Sequence, residues 1–348
     1  MDIGLVSGKQ FAPTPDVLHP VLMSLKLKYW GVRGSLPASP TPEQWVRDVQ
    51  SLFVEFFEMG HKGAADISKF FQSKTITSIG GFGTGTTCVE VLSPKAQIII
   101  DGGSGMRNLS EAMMKLANPR SKKVIHIFLT HFHWDHLIGL PFFAPHFIAG
   151  NVIHYYAVQP ELESLIRGKF RKPYFPVPYE ALPATIHFHQ LQPRKPLMIE
   201  DMSITPYQLD HPDPCWGFRI ESGGKSYAHC VDSEGTRISR ESLGPDLPLY
   251  QNADLMYFDA QYTLPELAEK ANWGHSAAQL GLDLAFRENI KRVIFAHHDP
   301  GANTQQLNNL QKQTREYHDW YVKTAETNHR TVPEVEWQYA FEGMEIDL

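Results

Sequence analysis

Cysteine is scarce in this chain: its 348 residues hold three, Cys88, Cys215 and Cys230, far apart and odd in number. They form no Cys-x-x-Cys pair and no disulfide framework, which excludes a stapled secreted scaffold and fits a reducing cytoplasm. No apolar run approaches the ~20 residues of a membrane span, so no membrane association is expected. Residues 1–24 show no basic start followed by a long apolar stretch, so no secretory signal is read there. Positive charge is not in excess either. The net charge is −6, which argues against a broad nucleic-acid surface. Repeats, low-complexity tracts and obvious linkers are also missing. One domain over residues 23–348 is therefore the simplest expectation, behind a proline-punctuated extension over residues 1–22. At 42% hydrophobic residues the chain can bury a sizeable core.

Histidine is plentiful, with 17 residues, and its placement carries the chemistry. Thr130-His131-Phe132-His133-Trp134-Asp135-His136 packs three imidazoles and a carboxylate into seven residues. It follows Val124–Leu129, an apolar run with the length and β-branched content of a buried strand. His131 and His133 are two apart, so an extended backbone puts both rings on one face. Asp135 and His136 come as the chain turns and can address an adjacent position. Neutral imidazoles with a carboxylate suit zinc or a similar first-row metal.

Seven residues cannot close the shells of two ions, so further ligands must come from downstream. Several other predicted strands end in ligand-type residues: Asp210-His211 after 203–209, Asp232 after 226–231, and His297-His298 after 292–296. A first ion would take His131, His133 and His211, and a second Asp135, His136 and His297. Asp232, with two oxygens, can bridge them. His298 competes with His297 for the last position. His275, in Gly274-His275-Ser276 before a helix over 277–288, can sit over the pair as a proton donor. Asp101, at the end of strand 97–100, is placed to orient a ligand histidine. His146, His154, His187 and His189 read as structural, and His229 as packing within a hairpin. The glycine-rich run 80–87 reads as a tight connection between strands. A helical stretch is expected over 41–74, a helix over 106–117, an aromatic- and proline-rich wall over 141–185, a long helix over 303–326, and a closing strand over 335–341 with the last residues trailing from it.

Together these residues resemble the metallo-β-lactamase-fold hydrolases, over roughly residues 25–348. The His-x-His-x-Asp-His motif is highly specific for that superfamily. The remaining pieces resemble its phosphodiesterase branch, near the cyclic-phosphate phosphodiesterases and the tRNA 3′-processing endonucleases. They are Trp30-Gly31-Val32-Arg33-Gly34-Ser35, Asp101-Gly102-Gly103-Ser104-Gly105, Trp134-Asp135-His136, Gly274-His275-Ser276 and His297. The resemblance implies an αββα sandwich with a dinuclear metal site at one edge between two mixed sheets. It also implies that Asp232 bridges the metals, that His211 and His297 complete their shells and that His275 assists phosphodiester cleavage. Two departures bear on the pocket rim. The family usually reads Gly-Gly-Asn-Thr-Ser-Cys where this chain has Gly83-Thr84-Gly85-Thr86-Thr87-Cys88, and the helical stretch 41–74 parts two motif pieces that usually lie closer.

The expected activity is hydrolysis of a small, cyclic phosphodiester such as a cyclic nucleotide or cyclic ribose phosphate. Two divalent ions are expected, zinc first, with manganese and iron as alternatives. The rival readings are a tRNA 3′-processing endonuclease and a lactone or thioester hydrolase on the same site. The expected partner is the anionic substrate alone, without nucleic acid, and a homodimer is the base-rate expectation for a cytoplasmic enzyme. His133→Ala should abolish turnover and lower bound metal, measured by metal analysis and phosphodiester hydrolysis on one sample. Full activity in that variant would remove the metal-centre reading.

Overall fold

The computed structural model describes residues 25–116 and 123–348. The expected extension over 1–22 lies outside them. In chain order the elements are β1 (Lys26–Gly31), α1 (Pro42–Glu58), α2 (Ile67–Gln72), α3 (Ile76–Gly80), β2 (Cys88–Leu92), β3 (Gln97–Ile100), α4 (Met106–Met114), β4 (Val124–Phe128), β5 (Val152–Ala157) and α5 (Leu162–Lys169). There follow β6 (Thr185–Gln190), β7 (Leu197–Ile199), β8 (Met202–Gln208), β9 (Trp216–Ser222), β10 (Lys225–Cys230), α6 (Arg240–Leu243), β11 (Leu255–Asp259), α7 (Leu264–Glu269), α8 (Ala278–Glu288), β12 (Arg292–Ala296), α9 (Thr304–Thr327), β13 (Glu336–Tyr339) and β14 (Glu345–Asp347).

The strands form two seven-stranded mixed sheets, in the orders β14-β1-β2-β3-β4-β5-β6 and β13-β12-β11-β10-β9-β8-β7. β11 is buried along its whole length, as a strand covered on both faces must be, and it pairs in parallel with β10 and β12. The sheets meet through a core in which Tyr29 of β1 stacks on Tyr257 of β11 at 4.8 Å. Phe128 of β4 meets Phe218 of β9 edge-on at 5.6 Å. Met106 and Leu109 of α4 and Ile166 of α5 seal the outer face of the first sheet. Leu282 and Ala285 of α8 and Leu307 of α9 seal the second. The layers are therefore αββα. α9 starts at a capping box, Asn303 with Gln306, which satisfies two free backbone donors at once. No helix among the described residues is long and apolar enough to cross a membrane.

The parallel runs β3-β4-β5-β6 and β10-β11-β12 end at one edge of the sandwich. Loops at the carboxyl ends of such strands are where α/β folds place chemistry. Three local expectations need correction. The stretch 41–74 is broken rather than continuous: α1 stops at Glu58 and α2 starts at Ile67, parted by Gly60 in a positive-φ turn and by Gly63. The wall at 141–185 holds β5 and α5, which the sequence hid because β5 alternates only over Val152–Tyr155 before Tyr155–Ala157 are buried in a row. The tail past the closing strand does not trail: β14 pairs antiparallel with β1, in the opposite sheet from β13. Of the helix read over 106–117, residues 106–114 are helical and residue 117 is not among those described.

Phe218 is fully buried at the inter-sheet contact. Phe218→Ala should cost about 3–5 kcal/mol, the usual price of a buried phenyl ring and the cavity it leaves. Urea unfolding measures it, and a loss below about 1 kcal/mol would mean the sheets do not depend on this contact.

Candidate metal centre

The centre forms where the two sets of strands end. His131, His133, His211 and Asp232 each bring one donor atom within 4.8 Å of the others, and Asp135, His136, Asp232 and His297 do the same. Asp232 belongs to both groups. Its Oδ2 lies 3.4 Å from His131 Nε2, and its Oδ1 lies 3.2 Å from His136 Nε2 and 3.1 Å from His297 Nε2. Asp135 Oδ2 lies 3.4 Å from His136 Nε2 and 3.2 Å from His297 Nε2. Both groups are thus built from four separate places in the chain, the 131–136 loop, His211, Asp232 and His297.

Backbone geometry aims these side chains. Asp101, Asp232 and His297 each follow or close a strand with φ near +60° (62°, 60° and 58°). That is the left-handed region, which costs a non-glycine residue about 1–3 kcal/mol and tends to cluster at functional sites. The turn lets a strand stop abruptly and swing its last side chain into the edge between the sheets. Two glycines allow the closest approaches. A Cβ on Gly34 would stand 2.5 Å from the His297 ring, and one on Gly274 would stand 2.2 Å from the His211 ring.

An outer layer fixes the ring orientations. His136 Nδ1–H donates to Asp101 Oδ2 at 2.8 Å, and Asp101 also accepts from the Thr130 N–H and hydroxyl. His297 Nδ1–H donates to Gln261 Oε1 at 3.0 Å. His133 Nε2–H donates to Asp213 Oδ2 at 2.9 Å, and His211 Nδ1–H to the Asp213 carbonyl at 2.9 Å. The Ser35 N–H donates to Asp135 Oδ2 at 2.8 Å. In each case one ring nitrogen is used and the other is left for the centre.

The inner atoms have no such partners. His131 Nε2, His136 Nε2, His211 Nε2 and both oxygens of Asp232 are buried without a hydrogen bond. Each buried polar atom left this way costs about 1–3 kcal/mol, more when charged. Five converging orphans are what a cation site looks like without its cation, and the donor set of imidazoles and carboxylates suits a first-row divalent ion. The electrostatics agree. Burial pushes His131 well down, so its ring is neutral. Burial also acts to lower His136, but the carboxylates of Asp232, Asp135 and Asp101 outweigh it and hold its pKa well up. Burial acts to raise Asp232, but the rings of His297, His136 and His131 hold it well below the ordinary carboxylate range. The pocket therefore favours positive charge at its centre.

Every residue expected at the centre is placed there. His275 stacks on the His297 ring at 4.8 Å and donates from Nδ1 to Asp259 Oδ2 at 3.0 Å. Burial acts to lower its pKa, but Asp259, Asp232 and Asp135 outweigh burial and raise it to about 9. His298 faces away, donating from Nε2 to the Ala340 carbonyl at 2.8 Å. His229 pairs with the Tyr227 hydroxyl and His146 with that of Tyr155. His154 and His189 pair with each other at 2.8 Å within a stacked imidazole row on β5 and β6. Asp259, Gln261, Asp213 and Ser35 were not singled out as site residues. Asp259 closes a wholly buried strand just as Asp101 closes β3, so the strand-end pattern offered a signal. Ser35 closes the Trp30–Ser35 motif piece, whereas Gln261 and Asp213 carry no signal.

A family model for the beta-lactamase superfamily domain matches residues 96–298, more than half of the chain. A ribonuclease Z from Parabacteroides distasonis is 24% identical over 250 residues, covering 58% of this chain and 78% of that one. Among solved structures, the short form of human tRNase Z superposes with a TM-score of 0.55 at 16% identity, covering 92% of this chain and 98% of that one. A diphosphatase of the PhnP family gives 0.56 at 17% identity, covering 93% and 98%. At such identities the superpositions speak for the fold alone. The chain belongs to the metallo-β-lactamase superfamily, whose fold implies divalent metal ions. Within it, this is a metal-dependent hydrolase, similar in sequence to relatives named ribonuclease Z.

Asp101→Asn keeps the shape of that side chain but removes the charge behind His136 and Thr130. It should weaken metal binding about 10–100-fold, read by chelator competition. Unchanged affinity would reduce Asp101 to a loop brace.

Proposed function

We propose that this hydrolase cleaves a small phosphodiester, cyclic by preference, such as a cyclic nucleotide or a cyclic ribose phosphate. The observation that carries the reading is the pair of donor groups sharing Asp232, with His275 stacked alongside. His131, His133 and His211 would hold one divalent ion and Asp135, His136 and His297 a second, with Asp232 serving both. Zinc suits these donors best, and manganese or iron also fits. When bound, such a pair of ions makes a water nucleophilic at neutral pH and offsets charge on the phosphoryl oxygens. The chain's own groups do the rest. Asp259 fixes the His275 ring through Nδ1, which leaves Nε2 to pass a proton to the departing alkoxide. Asp101 and Gln261 hold the planes of His136 and His297, so the centre needs no reorganisation during the reaction.

Two observations support a small substrate with a flat group. Trp134, between His133 and Asp135, is 71% exposed, and Trp273, beside Gly274, is 64% exposed. Lys169 Nζ lies 3.6 Å over the Trp134 ring. Exposed indoles next in sequence to the donor residues, with a cation over one of them, suit a nucleobase joined to a phosphate. In addition, the insert 41–80 carries four Lys and Arg against five Asp and Glu, which is no arm for a large polyanion. The relatives named ribonuclease Z favour a second reading, cleavage of a tRNA precursor on its 3′ side.

The test is hydrolysis of bis(p-nitrophenyl) phosphate, cyclic AMP, cyclic GMP, a cyclic ribose phosphate and a tRNA precursor, with metal analysis on the same sample. Turnover of one small cyclic diester with close to two ions per chain is the expected result. Salt-sensitive tRNA cleavage would move the assignment to the second reading. Two ions without phosphodiester turnover would move it to lactones and thioesters. His275→Ala should lower kcat about 10²–10⁴-fold while bound metal stays unchanged. An unchanged kcat would make His275 a packing residue.

A further inference from the structure

We propose that His154, His187 and His189, on neighbouring strands at the edge of the first sheet, form a further transition-metal site, separate from the centre around Asp232, and that it takes copper(II). β6 is the edge strand of that sheet and pairs in parallel with β5, which sets His154 opposite His187 and Tyr156 opposite His189. β4 in turn sets His126 opposite His154. Side chains alternate along a strand, so these five residues share one face. It is the face of Phe128 and Tyr156, which pack in the core between the sheets. The rings in register stand one strand spacing apart, His126 on His154 at 5.1 Å and His154 on His187 at 5.0 Å. Tyr156 is buried, but His126, His154 and His189 are half-buried and His187 is exposed, so an ion can reach the row from solvent.

The ring nitrogens set the ligand chemistry. His154 Nδ1 and His189 Nε2 lie 2.8 Å apart and share one hydrogen bond. Two imidazole nitrogens each about 2.0 Å from one ion and at a right angle also stand about 2.8 Å apart, whereas a tetrahedral ion would spread them to about 3.3 Å. The spacing therefore matches neighbouring positions of the tetragonal geometry of copper(II) rather than the tetrahedral one of structural zinc. The ion takes the place of the shared proton, and each ring turns about its Cβ–Cγ bond while the strands stay where they are. His187 lies two residues before His189 on the same face, and its exposed ring can swing in as the third ligand. His126 Nδ1 pairs with the Tyr156 hydroxyl at 2.9 Å and backs the row. Burial and the neighbouring imidazoles push His126 down to about 4 and lower His154 and His189. These rings therefore keep a lone pair at neutral pH, as ligation requires. Among the described residues no carboxylate bears on them, which disfavours magnesium and calcium. Of the first-row divalent ions, copper binds such nitrogen donors most tightly.

Equilibrium dialysis of the full chain against micromolar copper(II), with metal analysis and electron paramagnetic resonance, tests this. The wild type should bind about one copper ion per chain more than the His187→Ala, His189→Ala double variant. The difference spectrum should carry splitting from directly bound imidazole nitrogens. The same difference should appear on a His133→Ala background, where the other centre is impaired. Circular dichroism and phosphodiester turnover should be unchanged in the double variant, because neither ring is fully buried or among the groups of the centre. His154→Phe keeps the stack but offers no nitrogen, and should lose the same ion. Equal copper uptake by wild type and double variant would overturn the proposal. So would a difference that vanishes with His133→Ala, which would assign the lost copper to the other centre. Wild-type uptake in His154→Phe, or zinc held at the row in preference to copper, would overturn it as well.

Discussion

The Asp232 carboxylate is almost wholly buried and neither of its oxygens receives a hydrogen bond. A bare buried charge is among the costliest things a protein can hold, and it persists only when opposite charge is close. Here three imidazole nitrogens stand 3.1–3.4 Å from it, and the other nitrogen of each ring meets a side chain. Asp101 stands behind His136, Gln261 behind His297, and Thr130 beside His131. The donors around Asp232 are therefore arranged as a divalent cation would require.

Two sheets are needed because no single strand edge could supply so many donors. The first sheet delivers Asp101 and the His131–His136 loop, the second delivers His211, Asp232, Asp259 and His297. The inter-sheet contacts of Tyr29 with Tyr257 and Phe128 with Phe218 set the distance between those two halves of the centre. Core packing and chemistry are thus one problem: a sheet that shifted against its neighbour would part Asp232 from His131 and His136. The left-handed turns at Asp101, Asp232 and His297 are strain the packed core can carry.

The helical insert touches the same residues from the other side. Its first stem ends at Ser35, whose N–H holds Asp135 Oδ2, and its second stem returns at Thr86, whose hydroxyl donates to the Asp135 carbonyl at 2.6 Å. Arg33 ties the two stems together, donating to the carbonyls of Gly83, Asp299 and Ala302.

Much of this was legible in the order of residues. The His131–His136 cluster is contiguous, so local spacing alone announced metal chemistry, and buried strands ending in His or Asp pointed to the rest of the set. Strand ends can be read because burial and termination both leave local marks. Other features left no local mark. β5 alternates over only four residues, and β14 is too short to signal a partner in the sheet opposite β13. His297 and His298 are equivalent as sequence, and only the left-handed turn at 297 sends one ring to the centre and the other to Ala340. Gln261 and Asp213 are ordinary polar residues until the fold sets them behind a histidine. Sequence determined the kind of chemistry, because donor type is a property of side chains. Tertiary structure decided which donors meet and how each is held, because those depend on distances between segments that the chain itself keeps far apart.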